Sequence, residues 1–169
     1  MPSSLADFTS PALIVPDLRG RDAAAVIEEL SETLGRDERV LDWESFCSTA
    51  IKRELLVSTE MEAGMAFAHA RRADVKEVSF ALGRKKEPMR WGAGAVASVR
   101  LVFLIAVPAD DSAQYLSLIS GLARLAKESN TVEKLHTATD AMRIFEVLRE
   151  ATVRTNSNSD QFKPAGAQR

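Results

Sequence analysis

Segment 58–71 places a histidine close to basic side chains. It starts with small and polar residues, passes through a short apolar run at 65–68, and ends with His69 followed by arginines. A further arginine, Arg53, lies sixteen residues before this histidine. A neutral imidazole is a competent nucleophile near pH 7, and guanidinium groups pair strongly with the oxygens of anions. The pattern predicts a site at which His69 attacks an anionic centre.

The overall composition limits the classes of protein to consider. The 169 residues are 46% hydrophobic and 27% charged, which is typical of one soluble globular domain. A net charge of −2 gives no electrostatic reason to expect nucleic-acid binding. Cys47 is the only cysteine, so no intramolecular disulfide and no cysteine cluster for a metal can form. We expect neither a metal nor a cofactor.

The hydrophobic segments do not indicate export or membrane insertion. The N-terminus lacks a basic region followed by an apolar one, as a signal peptide would have. The longest apolar run, 101–107, is far shorter than the ~20 residues of a membrane helix. We therefore expect a cytoplasmic protein that does not insert into membranes.

The helices that would support the site are predicted from apolar spacing and from residues that cap helix N-termini. Apolar residues recur every three or four positions after each cap, as on one face of a helix. Helices are predicted after Asp22, Asp42, the 110–112 segment and Asp140, with a short one near 132–135.

The strands are predicted from runs rich in branched apolar residues. They lie at 13–15, 65–69, 78–82 (ending at Gly83) and 99–107. The last of these is almost continuously apolar, which is typical of a central strand covered on both faces. Strands alternating with helices predict an α/β domain with a sheet between two helical layers.

The remaining segments are predicted to lie outside the packed layers. Residues 1–11 are expected to be a flexible N-terminus, 12–153 the folded domain and 154–169 a disordered tail, since the tail is too polar to bury much surface. The basic residues at 84–86 and Arg90 are interpreted as a solvated turn.

Segment 58–71 resembles the signature of the enzyme IIA domains of the bacterial phosphotransferase system, in the fructose, mannitol and nitrogen-regulatory class. The family pattern reads roughly Ser-Thr-Gly-Ile-Gly-Asn-Gly-Ile-Ala-Ile-Pro-His-Ala-Arg, and this chain has Ser-Thr-Glu-Met-Glu-Ala-Gly-Met-Ala-Phe-Ala-His-Ala-Arg. Weaker matches follow in the expected order, including Leu101-Val102-Phe103-Leu104. The resemblance implies the mannitol-type enzyme IIA fold, a three-layer sandwich whose mixed, largely parallel sheet has about five strands.

The resemblance also implies roles for individual residues. His69 would take up a phosphoryl group, Arg53 would stabilise it, and Tyr115 stands where the family commonly has a second histidine. The donor would be the histidine phosphocarrier HPr or its nitrogen-branch counterpart, and the acceptor an enzyme IIB or a regulated target protein. Further residues expected to line the site are Ser58, Thr59, Glu60, Glu62, Gly64 and Arg71.

Several positions depart from the family pattern. Ala68 replaces a proline, and the carboxylates of Glu60 and Glu62 replace two glycines, where they would repel a phosphoryl group unless they point away. The lost glycines suggest that this loop no longer needs positive φ angles or a close approach of its backbone to a partner.

Two functions therefore remain open from the sequence. The first is a histidine phosphocarrier of the standalone nitrogen-regulatory type, because the chain shows no enzyme IIB or membrane segment. The second is a degenerate domain of the same fold that binds a partner without phosphotransfer. A cofactor enzyme is disfavoured because no phosphate-cradling glycine loop and no Cys/His cluster is present.

Overall fold

The computed structural model describes residues 2–92, 96–111 and 113–153, except for the side chain of Glu62. Two short 3-10 helices precede the first strand, and a third lies at Glu62–Gly64. The regular elements are β1 (Ile14–Val15), α1 (Ala23–Arg36), α2 (Trp43–Leu56), β2 (Glu60–Met61), β3 (Met65–Arg72), β4 (Ser79–Met89), β5 (Val99–Pro108), α3 (Ala113–Lys127), α4 (Ser129–Thr137) and α5 (Ala141–Glu150).

The helices begin where the capping residues predict. An aspartate side chain accepts a hydrogen bond from the backbone N–H three residues later, which satisfies a donor that the first turn leaves without a partner. The N···O distances are 2.8 Å at Asp22, 3.1 Å at Asp42, 3.1 Å at Asp111 and 2.9 Å at Asp140.

The strands form one mixed sheet in the order β1-β4-β5-β3-β2. The β1–β4 and β3–β5 pairs are parallel, whereas β4–β5 and β2–β3 are antiparallel. The predicted mixed sheet of five strands between helices is confirmed. Parallel and antiparallel pairings are equal in number among these strands.

The alternation of side chains along β3 sorts them into two core layers. Ala66, Ala68 and Ala70 are buried on the side of α1 and α2. Met65 and Phe67 are buried on the side of α3 and α5. Because successive side chains of a strand point to opposite faces, His69 and Arg71 belong to the α3 side.

The N-terminus differs from the expected flexible segment. Leu5 and Phe8 are 0% and 2% exposed and pack into the core layer of α3 and α5. The Leu5 N–H donates to the carbonyl of Ala151 at 3.0 Å. Burial of these two side chains offsets the entropy lost on ordering the segment. The predicted tail, 154–169, lies outside the described residues.

Strand β4 is longer than predicted. It continues through Gly83 to Met89 rather than ending at the glycine. A Cβ atom on Gly83 would lie 2.5 Å from the Leu18 side chain, so this glycine makes room for a core residue instead of ending the strand. The interpretation of 84–86 as a turn is therefore wrong.

Arg84 is a buried structural residue and not part of a solvated basic turn. Its side chain donates to the carbonyls of Pro16 at 3.1 Å, Leu135 at 2.9 Å, His136 at 3.3 Å and Ala138 at 2.6 Å. The last three carbonyls close α4, where a cation also complements the helix dipole. Arg84 thus joins β4 to the end of α4.

We predict that Arg84→Met lowers the free energy of unfolding by about 3 kcal/mol, because buried carbonyls lose their donor. Urea unfolding followed by circular dichroism would measure this loss. The control Lys86→Met changes an exposed side chain of the same strand and is expected to shift stability by less than about 0.5 kcal/mol. Equal stability of the two variants would contradict the role assigned to Arg84.

Candidate functional site

His69 lies half-buried at an open edge of the sheet. Its Cα pairs with Ile105 of β5 on one side. On the other side β2 pairs only with Met65 and Ala66, so in the described part of the chain no strand covers the edge at His69. The Phe67 N–H is instead satisfied by the carbonyl of Thr59, at 3.1 Å. The strand edge next to the half-buried imidazole is therefore unpaired in this part of the chain.

Tyr115, from the first turn of α3, lies against His69. The centroids of the two rings are 5.6 Å apart, with 43° between their planes. The Arg71 guanidinium carbon lies 5.6 Å from the centroid of the same tyrosine ring. Arg71 also donates to the carbonyls of Pro108, at 3.1 Å, and Asp111. Arg71 is thus held at the start of α3 as part of the site.

The surroundings of His69 keep its imidazole neutral. Burial lowers the pKa of His69 below its ordinary value of 6.5, and the charges of Arg53 and Arg71 lower it further. The backbone of Phe67 and the charge of Glu54 act in the opposite direction without reversing the shift. At neutral pH the ring nitrogen therefore keeps the lone pair that a nucleophile requires.

The Tyr115 hydroxyl remains a hydrogen-bond donor. Burial raises the pKa of Tyr115 above its ordinary value of 10.0, although Arg71 and Arg53 pull it down. The phenol is therefore protonated at neutral pH and can donate one hydrogen bond to an anion beside His69. It supplies no positive charge.

The arginines near His69 are not equivalent. Arg71 is bonded to backbone carbonyls, and Arg72 pairs with Asp74 at 2.8 Å. The guanidinium of Arg53, in the last turn of α2, forms no hydrogen bond or ion pair with other described residues. Its charge still reaches the imidazole, since it lowers the pKa of His69. Among these three guanidinium groups, that of Arg53 is the one without a partner in the described part of the chain.

The loop before β3 keeps positive φ angles despite its changed sequence. Ala63 has φ = 67° and Gly64 has φ = 71°. A Cβ atom on Gly64 would lie 2.7 Å from the carbonyl oxygen of Ser98, so this position requires glycine. The expectation that the loop no longer needs positive φ is therefore wrong, and Ala63 adopts a left-handed conformation that costs about 1–2 kcal/mol for a residue with a Cβ.

The remaining residues expected to line the site differ in their contacts. The Glu60 carboxylate accepts a 2.6 Å hydrogen bond from the Ser98 hydroxyl and is thus tied to the β4–β5 connection. Ser58 is exposed and lies next to Gly92. A Cβ atom placed on this glycine would be 3.4 Å from the Ser58 hydroxyl. The side chain of Glu62 lies outside the described part.

Sequence reasoning did not select Glu54, which is the most tightly held side chain here. It is 8% exposed and accepts hydrogen bonds from the Thr59 backbone N–H (2.8 Å), the Thr59 hydroxyl (2.8 Å) and the Trp91 indole N–H (2.6 Å). Trp91 is thirty-seven positions away, so no local spacing reveals the contact. The available signal was an acidic residue directly after Arg53, in the last turn of α2. This turn leads into the segment between α2 and β3, residues 57–64, which is called the site loop below.

The described residues contain no group of three or more His, Cys, Asp or Glu side chains arranged to hold a metal ion. In the same residues no helix combines the length and apolar character needed to cross a membrane.

Comparison with known proteins identifies the family. Residues 7–151 match the family described as "Phosphoenolpyruvate-dependent sugar phosphotransferase system, EIIA 2". The chain belongs to this family. The resemblance noted in segment 58–71 is thereby confirmed.

Individual relatives agree with this assignment. A nitrogen regulatory protein of Bradyrhizobium diazoefficiens is 26% identical over 85% of this chain and 94% of its own length. The crystal structure of the nitrogen regulatory protein IIA-Ntr from Neisseria meningitidis superposes with a TM-score of 0.73, at 26% identity over 85% of this chain and 98% of that one.

A solved complex contains the same fold. Enzyme IIA for mannitol from Escherichia coli, in complex with phosphorylated enzyme IIB, superposes with a TM-score of 0.70 at 19% identity, covering 82% of this chain and 95% of that one. This EIIA domain therefore has the mannitol-type fold predicted from the sequence.

We predict that the pKa of His69 rises in Arg53→Gln, because a positive charge that disfavours the imidazolium is removed. Imidazole resonances followed by NMR across pH 4–9 would measure this, and a His69→Gln sample would assign the two histidines of the chain. Arg72→Gln removes a guanidinium already paired with Asp74 and should leave the pKa of His69 unchanged. An unchanged pKa in Arg53→Gln would show that its charge does not reach the ring.

Proposed function

We propose that this EIIA domain is a histidine phosphocarrier in which His69 accepts a phosphoryl group from an HPr-type carrier. The observation that carries the proposal is a neutral imidazole at an open sheet edge beside Arg53, a guanidinium with no partner among the described residues. Imidazole provides the nucleophile and guanidinium the complementary charge that phosphoryl transfer requires.

The proposed transfer is an in-line displacement at phosphorus. A ring nitrogen of His69 uses its lone pair to form a new N–P bond while the N–P bond to the carrier's histidine breaks, and that histidine keeps the bonding electrons. The phosphorylated His69 ring releases its N–H proton and the carrier's imidazole takes one up, so both rings end neutral. The neutral state of His69 makes this lone pair available. Phosphoryl transfer otherwise needs mainly alignment and charge stabilisation, which are supplied by fixed neighbouring groups.

Arg53 and Tyr115 are the proposed ligands of the phosphoryl oxygens. The guanidinium donates charge-assisted hydrogen bonds, and the protonated Tyr115 hydroxyl adds a neutral one. A hydrogen bond from the Ser98 hydroxyl fixes the Glu60 carboxylate at the β4–β5 connection, and we propose that this fixed position keeps its repulsion of the incoming group small.

The surface next to Arg53 fits a protein partner. Leu55 and Leu56, which follow it at the end of α2, are 82% and 81% exposed. Exposed neighbouring apolar side chains are typical of protein-binding surfaces. We propose that HPr or its nitrogen-branch counterpart docks here as donor. An enzyme IIB, as in the mannitol complex, or a regulated target is the proposed acceptor. The likeness to nitrogen regulatory proteins favours the regulatory branch.

We predict that incubation with phosphoenolpyruvate, enzyme I and a cognate HPr-type carrier adds one acid-labile phosphate to the protein. Intact-mass analysis should find this gain in the wild type and in His136→Ala, and not in His69→Ala. The His136 variant controls for the loss of any imidazole. A phosphate found elsewhere while His69 stays unmodified would refute the assignment. No gain with a verified donor would favour the alternative, a partner-binding domain without phosphotransfer.

We predict that Arg53→Gln slows this phosphorylation by about 100-fold, because one preorganised charge on the transferring group is lost. The initial rate at a fixed carrier concentration would measure the effect. Arg72→Gln is the matched control, since its guanidinium is paired with Asp74, and should keep the wild-type rate. Equal rates in the two variants would remove Arg53 from the mechanism.

A further inference from the structure

We propose that Glu54 is a positioning residue that holds Arg53 and the site loop in register with His69 through its hydrogen bonds. This inference rests on the proposed phosphotransfer, since it concerns the geometry of the same site. Glu54 is not proposed to touch the phosphoryl group.

Three hydrogen bonds converge on the Glu54 carboxylate. One oxygen, Oε1, accepts from the Thr59 N–H and from the Trp91 indole, while Oε2 accepts from the Thr59 hydroxyl. Glu54 belongs to the last turn of α2, Thr59 to the site loop and Trp91 to the segment after β4. A single buried side chain thus joins three parts of the chain around His69.

The bonds continue into the strand that carries the nucleophile. The carbonyl of Thr59 accepts from the Phe67 N–H at 3.1 Å, two residues before His69. The path from α2 to β3 therefore runs Glu54, Thr59, Phe67. Because Arg53 precedes Glu54 directly in the chain, fixing the Glu54 side chain also fixes the backbone from which the guanidinium reaches the imidazole.

The chemistry of the donors indicates that geometry, rather than charge pairing, is the main task of this carboxylate. All three donors are neutral, and no cation of the described residues forms an ion pair with it. A glutamine would preserve the arrangement, since its carbonyl can replace Oε1 and its amide can donate to the Thr59 hydroxyl. An aspartate, one methylene shorter, keeps the charge but cannot reach the same partners from the same backbone.

The test compares these two substitutions by single-turnover phosphorylation with the phosphorylated HPr-type carrier in excess, where kcat denotes the maximal rate constant and KM the carrier concentration that gives half of it. We expect Glu54→Asp to lower kcat by about 100-fold with an unchanged KM, because small displacements of reacting groups have effects of this size. We expect Glu54→Gln to restore kcat to within about threefold of the wild type, because it keeps the three hydrogen bonds. A reversed order, or a wild-type kcat in Glu54→Asp, would overturn the proposal.

A matched control comes from α1. Glu29 accepts from the N–H groups of Arg19 at 2.9 Å and Gly20 at 3.0 Å, so it also fixes a loop to a helix, outside the site. Glu29→Asp should keep both kcat and KM. An equal loss of kcat in this variant would mean that Glu54 acts only through general stability, and would count against a positioning role.

A second measurement separates this inference from the proposed function. In the unphosphorylated protein we expect the imidazole resonances of His69 to shift in Glu54→Asp and not in Glu29→Asp, because only the first change displaces Thr59 and Phe67. If the wild type accepts no phosphate, the phosphocarrier proposal fails. The resonance shifts then still test whether Glu54 positions the residues around His69. Unchanged His69 resonances in Glu54→Asp would overturn the positioning role in either case.

Discussion

The site depends on the parallel pairing of β3 with β5. Eight consecutive residues of β3 pair in register with β5, from Met65 opposite Leu101 to Arg72 opposite Pro108. This register places the alanines of β3 toward α1 and α2, and His69 toward α3. A slip by one residue would send His69 to the other face, because side chains alternate along a strand. The face of the sheet on which His69 lies is therefore set by backbone hydrogen bonds between β3 and β5, independently of the site loop.

The small side chains on one face of β3 have a consequence for the other face. Ala66, Ala68 and Ala70 are buried against the layer that contains α1 and α2, and they leave room for α2 to pack closely on this strand. The end of α2 consequently reaches the edge of the sheet, where it presents Arg53 beside an imidazole that points toward α3. Residues on opposite sides of the sheet thus meet at its uncovered edge.

The sequence was sufficient for features that depend on neighbours in the chain. Such local signals are the caps at Asp22 and Asp140, the apolar run of β5, and the match of segment 58–71 to a family motif. Gly83 and Glu54 were misjudged or missed because their roles are set by distant partners. Glycine is typical of strand ends, so Gly83 was predicted to end its strand. In the structure the Leu18 side chain occupies the space that a Cβ atom on Gly83 would take. Contacts between remote segments are formed by the fold and leave no spacing pattern.

In the proposed transfer, the same cations would serve both states of His69. Before transfer, Arg53 and Arg71 disfavour the imidazolium and so preserve the lone pair of the ring. After transfer, a positive charge beside the ring would favour a phosphoryl dianion for the same electrostatic reason. Glu54 opposes both effects, since its charge raises the pKa of His69. In its proposed positioning role, Glu54 would hold Arg53 in place through its three hydrogen bonds, and this rigidity would outweigh the electrostatic cost of its charge.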